Sequence, residues 1–160
     1  MSNETYRTRP FEEADCAAAV RLALDLGLSP WSADDYRLEI KRDDSVMFAA
    51  ANSSKLAGFI VGRIVPGAKE GSDAEIYNIG VDLHLHRSGI GGELIRRFFE
   101  RCAASDVQNI WLEVRAANAK AIHFYRRFGF VEYWRRPEFY RDPPDDGVVM
   151  KLDLTDRSKF

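Results

Sequence analysis

Ile79-Gly80-Val81-Asp82 runs through Leu83-His84-Leu85-His86-Arg87-Ser88 into Gly89-Ile90-Gly91-Gly92, and the reading of this stretch decides the fold. Residues 75–83 have the composition of a strand. A long helix follows Gly89, because Ile90, Leu94, Phe98 and Cys102 recur at helical spacing with Ile95 and Phe99 beside them. The charged residues Glu93, Arg96, Arg97, Glu100 and Arg101 fall mostly on the opposite side. Glycines at a strand-to-helix turn let backbone N–H groups converge, and the helix start adds partial positive charge, so the turn suits an anion such as a pyrophosphate. A flexible turn with no ligand is the competing reading of the same glycines. Two nucleotide patterns are excluded. Gly89 and Gly91 begin a Gly-x-Gly-x-x-Gly run whose third position is Leu94, and no Gly-Lys-Ser/Thr follows.

On the amino-terminal side, residues 5–10 read as a short strand. The helix begun by residues 11–15 carries Ala18, Leu22 and Leu26 on one face and stops at Gly27. Ser29-Pro30-Trp31-Ser32 is a loop, and Ser32 with Asp35 predicts a capped second helix. Residues 46–51 and 56–65 read as strands joined at Asn52-Ser53-Ser54. On the carboxyl-terminal side, Ser105-Asp106 ends the long helix and residues 110–114 form a strand. Asn118 caps a helix closed by Gly129, and strands around 131–140 and 148–154 flank a loop rich in Pro and Asp. Helices before and between strands predict a mixed α/β layer fold, one domain over residues 1–160.

Composition agrees. The chain has 160 residues, 46% hydrophobic and 30% charged, with 23 Lys and Arg against 25 Asp and Glu, a formal charge of −2. That is the balance of a soluble domain and a poor one for gripping nucleic-acid phosphates. Arg96-Arg97 and Arg126-Arg127 read as solvated helix faces. No apolar run approaches the roughly 18–20 residues that cross a bilayer. Met1-Ser2-Asn3-Glu4 lacks the features of a signal peptide, so a cytoplasmic protein contacting neither nucleic acid nor membrane is expected. Cys16 and Cys102 make no disulfide framework, and His84, His86 and His123 do not have metal-site spacing.

Several residues carry possible chemistry. Strand alternation puts Glu113 with Trp111 and Arg115, opposite Ile110, Leu112 and Val114. Glu113 is then a general base or an ordinary carboxylate paired with Arg115. Tyr125 sits among Ala121, Phe124 and Phe128 on a helical apolar face, where core packing is the simple reading. Trp31 is a hydrophobic plug or a ligand contact. Arg135, Arg136 and Arg141 read as a solvated strand end, with contact to an acidic substrate or the ribosome as the other reading.

Together these residues resemble the GNAT superfamily of N-acetyltransferases, whose strand-to-helix signature is Gln/Arg-x-x-Gly-x-Gly/Ala. Gly89 and Gly91 match it, and His86 stands at the leading position. Within that superfamily the ribosomal-protein alanine N-acetyltransferases are similar in order and spacing. The matching residues are Ser29-Pro30-Trp31-Ser32, Tyr77-Asn78-Ile79-Gly80-Val81-Asp82, Trp111-Leu112-Glu113-Val114-Arg115, Asn118, Tyr125, Gly129-Phe130, Arg135-Arg136 and Phe139-Tyr140. A residue is inserted before the last pair.

The resemblance implies a GNAT α/β fold, a mixed, mostly antiparallel sheet of about six to seven strands with helices on both faces. It implies acetyl-CoA as cosubstrate and no metal. Arg87, Ser88, Gly89, Ile90, Gly91 and Gly92 would hold the pyrophosphate, and Asn118 would contact CoA as well as cap its helix. Backbone groups of Ile79, Gly80 and Val81 would bond the pantetheine and acetyl group where the sheet splays. By the same resemblance Glu113 is the general base, Tyr125 the general acid, and Trp31 and Tyr140 belong to the peptide site. The implied acceptor is a protein N-terminal amine, the alanine of a small-subunit ribosomal protein. Two alternatives stay open: a small-molecule amine acceptor, for which Glu138, Asp142, Asp145 and Asp146 would supply acidity, and an inactive CoA-binding regulatory module.

Overall fold

In the computed structural model, residues 4–68 and 70–156 are described; Met1, Ser2 and Asn3 of the polar start lie outside them. Seven strands form one sheet in the order β1-β2-β3-β4-β5-β7-β6. They are β1 Arg7–Pro10, β2 Ser45–Ala51, β3 Leu56–Pro66, β4 Ser72–Val81, β5 Val107–Arg115, β6 Val131–Arg141 and β7 Pro144–Asp153. Four helices accompany them: α1 Cys16–Asp25, α2 Ala33–Ile40, α3 Ile90–Ala103 and α4 Ala119–Arg127. Among the described residues the one parallel pair is β4–β5, which α3 connects, as a parallel pair requires a crossover.

Two apolar clusters lie on opposite faces of this sheet. On one, Leu94, Ile95, Phe98, Phe99 and Cys102 of α3 and Tyr125 of α4 pack with Ile110, Leu112 and Val114 of β5 and Val148, Met150 and Leu152 of β7. On the other, Cys16, Ala19, Leu22 and Ala23 of α1 and Tyr36 of α2 pack with Ala49, Phe59 and Val61. The α3 face is the one read from periodicity. In α1 the buried stripe runs through Cys16, Ala19, Leu22 and Ala23, and Ala18 is half-buried at its edge. At Gly62 a Cβ would stand 2.2 Å from the Glu75 carbonyl oxygen and 2.6 Å from the Phe98 ring, so glycine lets α3 press onto the sheet.

The caps follow their sequence signals. Asp35 N–H donates to Ser32 Oγ at 3.1 Å while Ser32 N–H donates to Asp35 Oδ2 at 2.7 Å. Ala121 N–H donates to Asn118 Oδ1 at the start of α4, and Gly129, at φ 95°, ends it. The last hairpin departs from expectation. The acidic, Pro-containing stretch is itself strand, since β7 begins at Pro144 rather than Val148 and only Asp142 and Pro143 separate it from β6. β6 is bulged: Arg136 pairs with Gly147 and Tyr140 with Asp145, leaving three residues opposite one.

Candidate active site

The site begins where the parallel pair stops. β4 and β5 are in register only from Ser72↔Val107 to Glu75↔Trp111, and beyond that residues 76–81 and 112–115 diverge. β4 bulges here: Val61 pairs with Asn78 but Gly62 with Ile76, leaving Tyr77 as the extra residue. A bulge bends its strand and strengthens its twist, which carries β4 away from β5. Asp73 holds the paired part closed, accepting from Trp111 Nε1 at 2.8 Å and Asn109 Nδ2 at 3.1 Å.

The divergence opens a gap through the sheet, approached by different side chains from each face. Ile79 and Val81 join the α3–α4 cluster, and α4 delivers Tyr125 on that side. Tyr125 is 9% exposed and its ring packs on Phe124 and Phe130 at 5.5 and 5.7 Å; burial pushes its phenol pKa upward. Glu113 lies on the other face of β5 by strand alternation. Arg115 is not its partner. The Arg115 guanidinium donates to the carbonyls of Pro143 and Asp142 and lies 4.1 Å from the centre of the Tyr140 ring. The cation on Glu113 is Arg136, with Nε 3.1 Å from Oε2. Tyr140 belongs to this group: burial first, then the charge of Glu113, raise its pKa.

On the same face a cleft of about 310 Å³ is lined by Ser29, Trp31, Arg63 and Tyr77. Trp31 both plugs and lines, with its ring 5.2 Å from Tyr36 and 6.3 Å from Tyr77. Arg63 is fixed by a bidentate pair with the buried Glu39 and lies over the Tyr77 ring at 5.3 Å. Asn78, at the bulge, has a buried Nδ2 with no hydrogen-bond partner.

On the α3 side, Gly89 is the N-cap of α3 with φ 87° and ψ −1°, and a Cβ there would meet nothing within 4 Å. No side chain caps this helix, so the N–H groups of Ile90, Gly91 and Gly92 have no intrahelical acceptor. Gly91 and Gly92 have a packing reason as well: a Cβ on either would press within 3.3 Å and 3.2 Å of the Phe124 and Phe128 rings of α4. Arg87 is exposed and left-handed at φ 66°. The loop is tied back on itself, with Ser88 Oγ donating to the Leu85 carbonyl. His86 Nε2 is 2.8 Å from the Val81 carbonyl oxygen, so this side chain braces the loop onto the end of β4. Asn118 uses Oδ1 for its cap. An uncapped glycine turn, an orphaned buried amide and a half-paired strand edge fit a donor that carries phosphates and carbonyls.

The structure thus gathers Glu113, Tyr140 and Trp31 on one face, and the glycine turn, Asn118 and Tyr125 on the other. Sequence reading gave Arg63 and Gly147 no role, and it named Tyr77, Asn78 and Arg136 among the residues that carry the resemblance without placing them at the site. Tyr77 was accessible by alternation from Glu75, but the bulges in β4 and β6 break the parity that would have placed Asn78 and Arg136. Among the described residues no cluster of His, Cys, Asp or Glu could hold a metal ion, and no helix is long and apolar enough to cross a membrane.

Residues 13–130 match the model of the Acetyltransferase (GNAT) family. The [ribosomal protein bS18]-alanine N-acetyltransferase of Escherichia coli strain K12 is 29% identical over 146 residues, 90% of this chain and 95% of that protein. The N-alpha-acetyltransferase RimI of Mycobacterium tuberculosis is 28% identical over 150 residues, 91% of this chain and 90% of that protein. The crystal structure of the Escherichia coli ribosomal-protein-S18-alanine N-acetyltransferase superposes with a TM-score of 0.81 at 28% identity, covering 94% of both chains. Arabidopsis thaliana NAA60 in complex with acetyl-CoA shares the fold, with a TM-score of 0.84 at 21% identity over 94% of this chain and 99% of that one.

Proposed function

The chain belongs to the acetyltransferase (GNAT) family and is an N-acetyltransferase that uses acetyl-CoA, and we propose that its acceptor is the free α-amine of a protein, the N-terminal alanine of a small-subunit ribosomal protein in particular. The observation that carries this reading is the gap beyond Glu75 and Trp111, which has a carboxylate on one face and an uncapped helix start on the other. Acetyl-CoA brings the thioester, whose acetyl carbon the acceptor nitrogen attacks as the C–S bond breaks and the thiolate leaves.

The protein's part is positional and protonic. The N–H groups of Gly89, Ile90, Gly91 and Gly92 receive phosphate oxygens, with Arg87 and Ser88 at the loop and Asn118 Nδ2 opposite. The free edge of Ile79, Gly80 and Val81 offers backbone groups to the pantetheine arm. Glu113 removes the amine proton. An α-amine, with pKa near 7.7–8.0, is far easier to deprotonate than a lysine near 10.4. Tyr125, like any phenol, keeps its proton at neutral pH, burial raises its pKa further, and in this reading it delivers that proton to the departing sulfur. Trp31 and Tyr140 flank the first residues of the acceptor, with the cleft lined by Ser29, Trp31, Arg63 and Tyr77 beside them.

Two of the four acidic residues that a polyamine would want are already engaged. Asp145 accepts from the N–H groups of Ala117 and Asp146, and Asp146 accepts from Glu138 N–H and lies 3.7 Å from Arg135. Thiol release from acetyl-CoA tests the proposal, comparing an alanine-start peptide, its N-blocked lysine-containing copy and spermidine. Turnover of the free α-amine alone is the expected result. Faster turnover of spermidine would move the acceptor to small amines.

A further inference from the structure

We propose that Arg136 is a positioning and specificity-determining residue, holding one oxygen of Glu113 so that the site favours an acceptor amine that sheds its charge easily. The inference rests on the reading of Glu113 as the base. Arg136 is on β6 and Glu113 on β5, with β7 between them. Glu113 pairs with Val149 and Arg136 with Gly147, so the two side chains meet diagonally across β7. A Cβ at position 147 would stand 3.4 Å from Glu113 Cδ and 3.3 Å from Phe139 Cβ. Glycine therefore leaves the space across which a side chain from β6 reaches β5. Arg136 is held over two rings, 5.3 Å from the centres of both Trp134 and Phe139. These contacts restrain a long side chain that is 46% exposed, while Glu113 is 24% exposed and open to an acceptor.

A bare carboxylate beside the gap would draw any ammonium ion. A carboxylate already paired with a guanidinium offers a second cation little, because the approaching charge meets Arg136 as well. The amine must then arrive neutral or release its proton on arrival. At pH 7.5 about a third of an α-amine is neutral, against roughly one in a thousand lysine ε-amines. Arg115 is engaged by the backbone of the β6–β7 turn, and Lys151 lies over the Trp111 and Tyr133 rings, so neither substitutes for Arg136.

The test compares wild type, Arg136→Gln, Arg136→Lys, Glu113→Gln and the double variant Arg136→Gln/Glu113→Gln. Each is assayed with an alanine-start peptide, its N-blocked lysine copy and spermidine, and melting temperatures confirm folding. Arg136→Gln is expected to shrink the ratio of kcat/KM for α-amine over spermidine at least tenfold, with kcat/KM for spermidine not falling. Arg136→Lys should stay within threefold of wild type, and Arg136→Gln should have no further effect once Glu113 is Gln. An unchanged ratio in Arg136→Gln, with Glu113→Gln inactive, overturns the role of Arg136 and leaves the base intact. Full turnover by Glu113→Gln removes the base itself, and this inference with it.

Discussion

Gly89→Ala isolates what the glycine turn does. Position 89 holds φ 87° and ψ −1°, yet a Cβ built there meets no atom within 4 Å. The substitution therefore adds no clash and changes only backbone preference. Holding an L-residue in the left-handed region costs about 1–2 kcal/mol. That strain appears in one of two places. If the loop keeps its shape, unfolding free energy falls by about that amount and acetyl-CoA affinity is preserved. If the loop relaxes, the N–H groups at the start of α3 turn away and affinity falls by about 5- to 30-fold. Urea unfolding and calorimetric titration of acetyl-CoA on the same variant give two losses whose sum should reach about 1–2 kcal/mol. Gly91→Ala is the contrast, because position 91 is not left-handed but its Cβ would lie 3.3 Å from the Phe124 ring. Its effect should come through the packing of α4. A Gly89→Ala protein with unchanged stability and unchanged affinity would refute the reasoning.

Glu113→Gln should lower turnover by about 10²–10⁴-fold with acetyl-CoA affinity nearly unchanged, measured by steady-state kinetics beside titration; a loss of affinity alone contradicts the base role. Tyr125→Phe keeps the ring between Phe124 and Phe130, so stability should move by no more than about 1 kcal/mol while turnover falls about 10²-fold or more. Stability should decline in alkali. Burial raises Tyr36 and Cys102 to about 12 from ordinary values of 10.0 and 9.0, and it raises Tyr125 as well. The unfolded chain loses these protons first, so stability is intact below pH about 9 and is lost as pH climbs toward 12. The slope approaches about 1.4 kcal/mol per pH unit for each such group, and urea midpoints from pH 7 to 11 would show it. Asp73→Ala leaves Trp111 Nε1 and Asn109 Nδ2 without their acceptor and should cost about 1–3 kcal/mol in urea unfolding.

Much of this protein is written locally. The α3 face, the Ser32 and Asn118 caps, the glycine ends of α1 and α4, and the side of β5 that carries Glu113 all follow from periodicity and capping, which act within a few residues. Glu113, Tyr140 and the glycine turn could be singled out by residue type and by likeness to a family. What sequence left open was partnership. Arg115 is two residues from Glu113 and shares its strand face, so it was the natural partner, but the β6–β7 turn takes its guanidinium.

Only the tertiary structure decided that Arg136 would be the cation on Glu113. That pairing depends on a bulged β6 lying beyond β7 and on a glycine between them, and neither strand order nor bulge position follows from local periodicity. The same holds for the gap. Residues 76–81 and 112–115 each read as ordinary strand, and their divergence follows from the extra residue at Tyr77. The sequence by itself determined on which face of their own element the candidate residues lie. The fold decided which faces meet, because the sheet is assembled from strands whose register, bulges and order are set by contacts distant along the chain.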